Sequence, residues 1–263
     1  RLNFGISPGG LLSDAEIFGT LDKDRNAMFL ECINMVLDIW AGEAPYNLKG
    51  DYFEVSTERT MLSDIGQGSI IKPYQYPHPP IIGTVVAPYS KGITAMAARG
   101  WEPISANFLL PKWVKTHWSN YAEGCALGGR TADPANWRIA KNICVADDMK
   151  TAKKYARGEN SPYVLYYQQL LTKFRDSGRL NLFKEDQEMS DDKVTLDYVL
   201  DRLVTYGDPS SVADQILEFR DTVGDFSHLV YAGHDWTDYD LGRKSMILTA
   251  EKVIPILNDA IKD

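Results

Sequence analysis

The segment from Pro79 to Gly100 constrains the fold most, because it joins an apolar strand to a helix of small residues through a short turn. The pattern predicts a strand over 81–86 and a helix over 90–99. The first N–H groups of a helix have no partner within it and lie at the positive end of its dipole, so they can bind an anion. The turn at 87–92 is therefore either an ordinary strand-to-helix connection or a binding site for a phosphate group.

Strands and helices alternate along the chain. The patterns predict five strands, at 2–7, 81–86, 103–107, 137–145 and 227–232, and helices at 26–40, 90–99, 112–127, 148–178, 192–205, 210–222 and 242–261. This alternation is typical of α/β proteins with a parallel sheet, and we expect the strands to be neighbours in chain order. Asp208 and Pro209 predict a helix start, with Val212, Ile216 and Phe219 on its buried face. The segment 43–76 is too long for an ordinary loop and predicts a small excursion.

Charge and composition exclude several classes of protein. The net charge is −8 without a cluster of Lys or Arg, which disfavours nucleic acid as a partner. No apolar run approaches the roughly 18 residues of a membrane span, so we expect a cytoplasmic protein. Cys32, Cys125 and Cys144 have unrelated spacings, which predicts buried free thiols and neither a disulfide framework nor a metal site.

Several short motifs occur in an order that is informative as a set. They are Phe4-Gly-Ile-Ser-Pro-Gly-Gly10, Phe18-Gly19, Leu37-Asp-Ile-Trp40, Lys49-Gly-Asp-Tyr-Phe53, Pro77-His-Pro-Pro-Ile-Ile82, the turn at 87–92 and Gly207-Asp-Pro-Ser-Ser-Val-Ala213. In this order they resemble the bacterial luciferase-like flavin-dependent monooxygenases over nearly the whole chain. The resemblance implies a (β/α)8 TIM barrel, of which this chain covers about the fourth to eighth βα units. We expect residues 1–263 to form one domain, the C-terminal two-thirds of that barrel, with its N-terminal part absent from this sequence.

The resemblance also implies a site for reduced FMN (FMNH2). The turn matches the family's phosphate-side loop, where Ser90 is a phosphate ligand, a helix cap or both. Ser7 and Pro8 stand where luciferase carries a cysteine and a phosphate-binding arginine, so we expect either a low affinity for FMN or phosphate binding that depends on Lys91 or Arg99 instead. Asn107 lies either beside the flavin ring or bonded to its own loop. The implied cofactor-binding set is Ala87, Pro88, Tyr89, Ser90, Gly92, Ser7 and Asn107.

A catalytic residue is harder to find in the sequence. His234 follows the last predicted strand and is the one weak candidate for acid/base chemistry, since a histidine in a loop is more often a surface residue. The aromatic segment 162–167 and the segment 180–183 are either a lid over an apolar substrate or ordinary helix packing. Lys173, Arg175 and Arg179 have the spacing of a solvated helix face, which favours a small apolar substrate over an anion.

The implied activity is that of a two-component monooxygenase. Such an enzyme uses FMNH2 and O2 to oxygenate an organic substrate, and an NAD(P)H:flavin reductase supplies the FMNH2. The alternatives are an F420-dependent oxidoreductase that transfers hydride and a flavin-binding protein without catalysis. We expect the intact protein to be a homo-oligomer, because related barrels commonly pair through helices.

Overall fold

The structure is a computed structural model that describes residues 2–234 and 236–262, and the chain divides after Thr84 into two units. The first unit contains β1 (Phe4–Ile6), α1 (Leu12–Ile17), α2 (Arg25–Ala41), β2 (Asn47–Lys49), β3 (Glu54–Ser56) and most of β4 (Ile81–Val85). β1 and β4 pair in parallel, with Phe4 opposite Ile81, which confirms the first predicted strand neighbours.

The predicted excursion at 43–76 contains an antiparallel hairpin of β2 and β3. The Glu31 carboxylate on α2 accepts hydrogen bonds from the N–H groups of Asp51, Tyr52 and Phe53 at 2.8–2.9 Å. The Lys72 ammonium donates to the carbonyls of Ile39 and Gly42 at the C-terminal end of α2, where the helix dipole favours a cation. These contacts attach the excursion to the middle and to the C-terminal end of α2.

The second unit is built around β6 (Arg138–Val145), the longest strand. β5 (Glu102–Ser105) and β8 (His228–Tyr231) pair in parallel with its first half, and β7 (Val204–Gly207) pairs in parallel with its second half. The helices are α3 (Lys91–Ala98), α4 (Pro111–Leu127), α5 (Met149–Arg157), α6 (Pro162–Asp176), α7 (Leu196–Leu203), α8 (Pro209–Val223), α9 (Tyr239–Leu248) and α10 (Ile254–Ala260), with a π-helical turn, Thr249–Val253, before α10. The result is an α/β fold with a mostly parallel sheet.

Most predicted elements of the second unit are confirmed, with three corrections. Strand β7 begins at Val204, inside the predicted helix 192–205, and residues 137–145 have β7 as a neighbour as well as β5 and β8. The predicted helix 148–178 is two helices. Helix α5 ends at the cap residue Gly158, and α6 begins with Ser161 as its cap and Pro162 in its first turn. The final helix begins at Tyr239 and not at residue 242.

The start of α8 is confirmed. Asp208 caps the helix by accepting from the Ser211 N–H at 3.0 Å, Pro209 lies in the first turn, and Val212, Ile216 and Phe219 are buried. Within the part of the chain that the structure describes, no helix is long and apolar enough to cross a membrane.

The largest hydrophobic cluster of the second unit contains Trp137, Tyr167, Leu180, Leu182 and Phe183. The segment 180–183 is therefore core packing, which is the second of the two alternatives that the sequence left open. Cys125 and Cys144 are buried free thiols as expected, but Cys32 is exposed, so that part of the prediction was wrong.

Candidate active site

The turn between β4 and α3 is held by side chains of α4. The Tyr89 N–H donates to Thr116 Oγ1 at 3.0 Å, and Asn120 Nδ2 donates to the Ser90 carbonyl at 3.2 Å. Tyr89 has a φ of 49°, in the left-handed region that residues other than glycine rarely adopt, so its contact with Thr116 fixes an unusual backbone conformation. In this structure the Tyr89 N–H is thus occupied by Thr116.

A buried histidine makes the third contact between α4 and the turn. His117 Nε2 lies 3.0 Å from the Ala87 carbonyl, and Nδ1 lies 2.8 Å from Ser105 Oγ. Since a carbonyl only accepts, Nε2 carries the proton and Nδ1 accepts from the Ser105 hydroxyl, which in turn accepts from Trp137 Nε1 at 3.0 Å. Burial lowers the pKa of His117 to about 4, so the imidazole is neutral at ordinary pH.

At the N-terminus of α3, the Ser90 hydroxyl occupies the cap position but makes no capping hydrogen bond among the described residues. A Cβ at Gly92 would lie 3.3 Å from Ser90 Oγ, so glycine leaves the space around this hydroxyl open. Lys91 is the first residue of the helix, whereas Arg99 lies at its C-terminal end with its guanidinium 4.2 Å from the Trp101 ring centroid. Of the two cations considered for the phosphate, Lys91 lies at the N-terminal end of α3 and Arg99 at the other end.

Asn107 and His234 are brought together by a residue that the sequence analysis did not identify. Asn142, which is fully buried on β6, accepts from Asn107 Nδ2 at 2.8 Å and from His234 Nε2 at 2.8 Å through the same side-chain oxygen. The register explains the meeting, since Ser105 lies opposite Ile139 and Tyr231 opposite Lys141. Asn142 therefore lies one residue beyond the last pair with β8 and three beyond the last pair with β5, beside the residues that follow both strands.

Two tyrosines of α6 complete this polar cluster. Tyr166 donates to Asn107 Oδ1 at 3.0 Å, and Asn142 Nδ2 donates to the Tyr167 hydroxyl. The His234 ring also packs against Tyr166, with centroids 4.6 Å apart. Burial raises the pKa of the Tyr166 phenol, which keeps the proton it donates to Asn107. Asn107 thus bonds other elements and not only its own loop.

Tyr166 and His234 also line a cleft of about 750 Å3 in the second unit. Its wall includes Pro162, Leu165 and Gln169 of α6, and the Leu165 side chain is exposed. Tyr163 and Tyr167 of the same helix are buried in the core. The aromatic segment 162–167 therefore divides, with one set of side chains packed inside and another facing the cleft.

Two further residues of the predicted cofactor-binding set are Pro88 and Ser7. Pro88 lies within the turn and contributes no N–H. Ser7 belongs to the first unit, where its hydroxyl accepts from the Gly9 N–H at 3.3 Å. Sequence reasoning missed His117 and Asn142; the available signal for Asn142 was a lone amide within the apolar strand 137–145, since buried polar side chains need partners.

The parallel strands and the polar side chains at their carboxyl ends place the chain among the α/β proteins that bind ligands at that edge of the sheet. A sequence profile described as luciferase-like monooxygenase matches residues 1–225. The chain belongs to the luciferase-like monooxygenase family.

Individual relatives are distant. The chain is 23% identical over 268 residues to 4-hydroxyprotoasukamycin monooxygenase of Streptomyces nodosus subsp. asukaensis, covering 99% of this chain and 67% of the relative. It is 24% identical over 259 residues to limonene 1,2-monooxygenase of Rhodococcus erythropolis, covering 98% and 61%. The chain spans between 58% and 67% of the length of the curated relatives it matches.

Solved structures show the same fold. The oxygenating constituent of 3,6-diketocamphane monooxygenase from Pseudomonas putida, a type II Baeyer-Villiger monooxygenase in complex with FMN, superposes with a TM-score of 0.80 at 21% identity, covering 95% of this chain and 70% of that one. An F420-dependent secondary alcohol dehydrogenase superposes with a TM-score of 0.58 at 16% identity, covering 97% and 69%. At these identities the likeness establishes the fold alone.

Proposed function

We propose that the protein is a two-component monooxygenase that uses reduced FMN and O2 to oxygenate a small apolar substrate. Family membership and the FMN bound to the P. putida structural relative support this function. When bound, reduced FMN supplies the reaction with O2 that places one oxygen atom on the substrate and releases the other as water. The residues of the chain bind and orient the reactants, exclude water and hold protons.

The observation that carries the proposal is the turn at 87–92. The carbonyls of Ala87 and Ser90 are bound to α4, and the Ile93 N–H donates to the Ser90 carbonyl at 3.1 Å. The Ser90 hydroxyl and the N–H groups of Lys91 and Gly92 make no hydrogen bond as donors among the described residues, as is usual for the first N–H groups of a helix. A phosphate at this position meets donors and the positive end of the helix dipole, with Lys91 adjacent. The proposed phosphate site therefore consists of Ser90, Lys91 and Gly92, supported by Ala87, Pro88 and Tyr89.

The polar cluster at the strand ends is proposed to face the reacting end of the cofactor. Asn142 fixes the proton of His234 on Nε2, because its side-chain oxygen can only accept. Tyr166 and His234 also line the cleft, so they can contact a substrate there. We assign His234 the role of holding or moving a proton during turnover, and Asn107 a contact with the flavin ring. Ser7 remains a proposed contact from the first unit.

The cleft favours a neutral apolar ligand. Pro162, Leu165 and the Tyr166 ring supply apolar surface, and Glu159 is the one charged side chain on its described wall. Burial of apolar area contributes about 25 cal/mol per Å2, so a compact terpene or cyclic ketone can bind without an ionic contact. The names of two relatives, limonene 1,2-monooxygenase and 3,6-diketocamphane 1,6-monooxygenase, are consistent with this class.

The proposed function also involves a partner enzyme and a larger assembly. An NAD(P)H:flavin reductase is proposed to supply the reduced FMN, and the intact protein is proposed to be a cytoplasmic homo-oligomer. The chain is proposed to supply about the fourth to eighth βα units of a single TIM-barrel domain. The parallel pairs β1–β4, β5–β6 and β6–β8 support that arrangement.

Hydride transfer with F420 is the second candidate, because an F420-dependent dehydrogenase shares the fold. The test mixes the protein with photoreduced FMN in air and a neutral terpene or cyclic ketone, and in parallel with reduced F420 and a hydride acceptor. Oxygenated product in the first mixture alone is the expected result. Reduced product in the F420 mixture alone contradicts the monooxygenase proposal, and FMN binding with neither product favours a binding protein without catalysis.

The phosphate site is tested by FMN titration of Ser90→Ala. Loss of a hydroxyl bond to a charged phosphate should weaken FMN binding roughly ten- to a hundredfold. Ser119→Ala is the matched control, because Ser119 is an exposed hydroxyl on α4 that donates to the Thr116 carbonyl of its own helix. Equal affinity of the two variants removes Ser90 from the site and leaves the backbone donors of α3.

The His234 assignment is tested by His234→Asn. We expect turnover to fall roughly a hundredfold or more, the usual size of an acid/base contribution, with FMN affinity nearly unchanged. Unchanged turnover with correct folding would show that His234 has no chemical role.

A further inference from the structure

His117 has no position in the sequence motifs, yet it joins the core to the proposed phosphate site. It lies in the middle of α4 and is fully buried, and both ring nitrogens are hydrogen-bonded. Trp137 donates to Ser105, Ser105 donates to His117, and His117 donates to the Ala87 carbonyl. Every polar atom in this chain of bonds has its partner with the correct donor and acceptor roles.

We propose that His117 is a positioning residue for the phosphate of FMN, acting through the Ala87 carbonyl. This inference depends on the phosphate site proposed above. A carbonyl oxygen that faced the phosphate would repel it. His117 donates to the Ala87 carbonyl, which is the first carbonyl of the turn at 87–92. The neighbouring contacts act alike, since Asn120 binds the Ser90 carbonyl. These two contacts occupy the Ala87 and Ser90 carbonyls, while the Ser90 hydroxyl and the N–H groups of Lys91 and Gly92 remain as donors to the ligand.

The physical state of His117 suits this role. The imidazole is neutral, because burial keeps its pKa far below neutrality, so Nε2 donates to Ala87 and Nδ1 accepts from Ser105 over the usual pH range. The Ala87 carbonyl, which can only accept, fixes the proton on Nε2, and the Ser105 hydroxyl, which itself accepts from the Trp137 indole, holds the orientation of the ring at Nδ1. The Ala87 carbonyl is thus held by a donor that is itself oriented from two sides.

The test compares the affinities of the protein for FMN and for riboflavin, which lacks the phosphate, by fluorescence titration. We expect His117→Phe, which keeps an aromatic ring but removes both nitrogens, to reduce the preference for FMN roughly tenfold while riboflavin affinity stays within about twofold. His117→Gln, which can still donate toward Ala87, should restore part of the preference.

Val114→Ala is the control, because Val114 is buried one turn earlier on α4 and its change leaves the bonds to the turn in place. It should lower stability and keep the wild-type ratio of affinities. Ser105→Ala, a smaller change that removes the donor to Nδ1, should reduce the ratio severalfold and serves if His117→Phe does not fold.

The outcomes separate the two proposals. Loss of the FMN preference in His117→Phe or Ser105→Ala, with the control unchanged, supports the inference. If the wild type prefers FMN to riboflavin and both variants keep that preference, the proposed role of His117 is wrong and the proposed phosphate site stands. A wild-type protein that binds FMN and riboflavin equally overturns the phosphate site and this inference together.

Discussion

Lys141 on β6 is a buried cation whose replacement should stabilise the protein. Its side chain is 6% exposed, and its ammonium lies 4.5 Å from the centroid of the Phe219 ring. No carboxylate pairs with it in the part of the chain that the structure describes. Burial lowers the pKa of Lys141 from 10.5 to about 8, because the charged form loses its hydration.

The magnitude follows from linkage. Each pKa unit corresponds to about 1.4 kcal/mol, so the charged form is destabilised by about 3 kcal/mol in the folded state. The contact with Phe219 offsets about 1 kcal/mol of this. The folded pKa lies below the unfolded value, so the unfolded chain binds the proton more tightly. The penalty is therefore complete below pH 8 and disappears as the pH rises to 10.5.

We expect Lys141→Met, which keeps the length of the side chain, to raise the free energy of unfolding by about 2 kcal/mol at pH 7. For a chain of this size that is about 4–8 °C in Tm. The difference from the wild type should shrink between pH 8 and 10.5, and comparing the two proteins cancels the other titrating groups. Lys150→Met, the same change at an exposed position, should have little effect at any pH. A less stable Lys141→Met protein at pH 7, or a difference that does not vary with pH, would refute the argument.

Three further predictions use local features. Gly124→Ala should lower the free energy of unfolding by about 1–3 kcal/mol in urea denaturation, because a Cβ there would lie 2.4 Å from the Thr94 carbonyl oxygen where α3 contacts α4. The control is Gly10→Ala, whose Cβ meets nothing within 4 Å and should leave stability unchanged. Asp208→Ala should cost about 1 kcal/mol by removing the cap of α8, and since the bond from the Ser211 N–H lowers the pKa of Asp208, the difference from the wild type should fall as the pH falls through that pKa. Cys32 should react with a thiol reagent in the native protein, whereas Cys144, whose pKa burial raises to about 12, should react only after unfolding.

The sequence predicted local elements well where the signal was local. Asp208 and Pro209 mark the start of α8 because a cap and a first-turn proline act within one helical turn. Strand β7 was missed because Val204, Thr205 and Tyr206 follow α7 directly, and the helical pattern continues into them. These residues form a strand because β6 offers an unpaired second half, which is information from the tertiary structure.

The candidate site was only partly predictable for the same reason. Asn107 and His234 could be chosen because the first ends a predicted strand and the second follows one, but nothing local says that both bind the same oxygen of Asn142. That meeting depends on the register of β5 and β8 against β6, which places a residue in the middle of one strand beside the residues that follow two others. His117 lies in the middle of a helix and carries no local signal of its partner, Ala87.

The end of β5 connects the two parts of the proposed site. The Ser105 hydroxyl bonds to His117 and, through it, to the turn before α3, while the Asn107 side chain, two residues later, bonds to Asn142 and Tyr166. Residues 105–107 are thus hydrogen-bonded both to the side chain that holds the turn at 87–92 and to side chains at the cleft. We therefore expect a displacement of residues 105–107 to change the geometry of the turn and of the cleft together. If the proposed site is correct, one strand end would set the positions of the cofactor's two ends, as expected where a parallel sheet concentrates its functional residues.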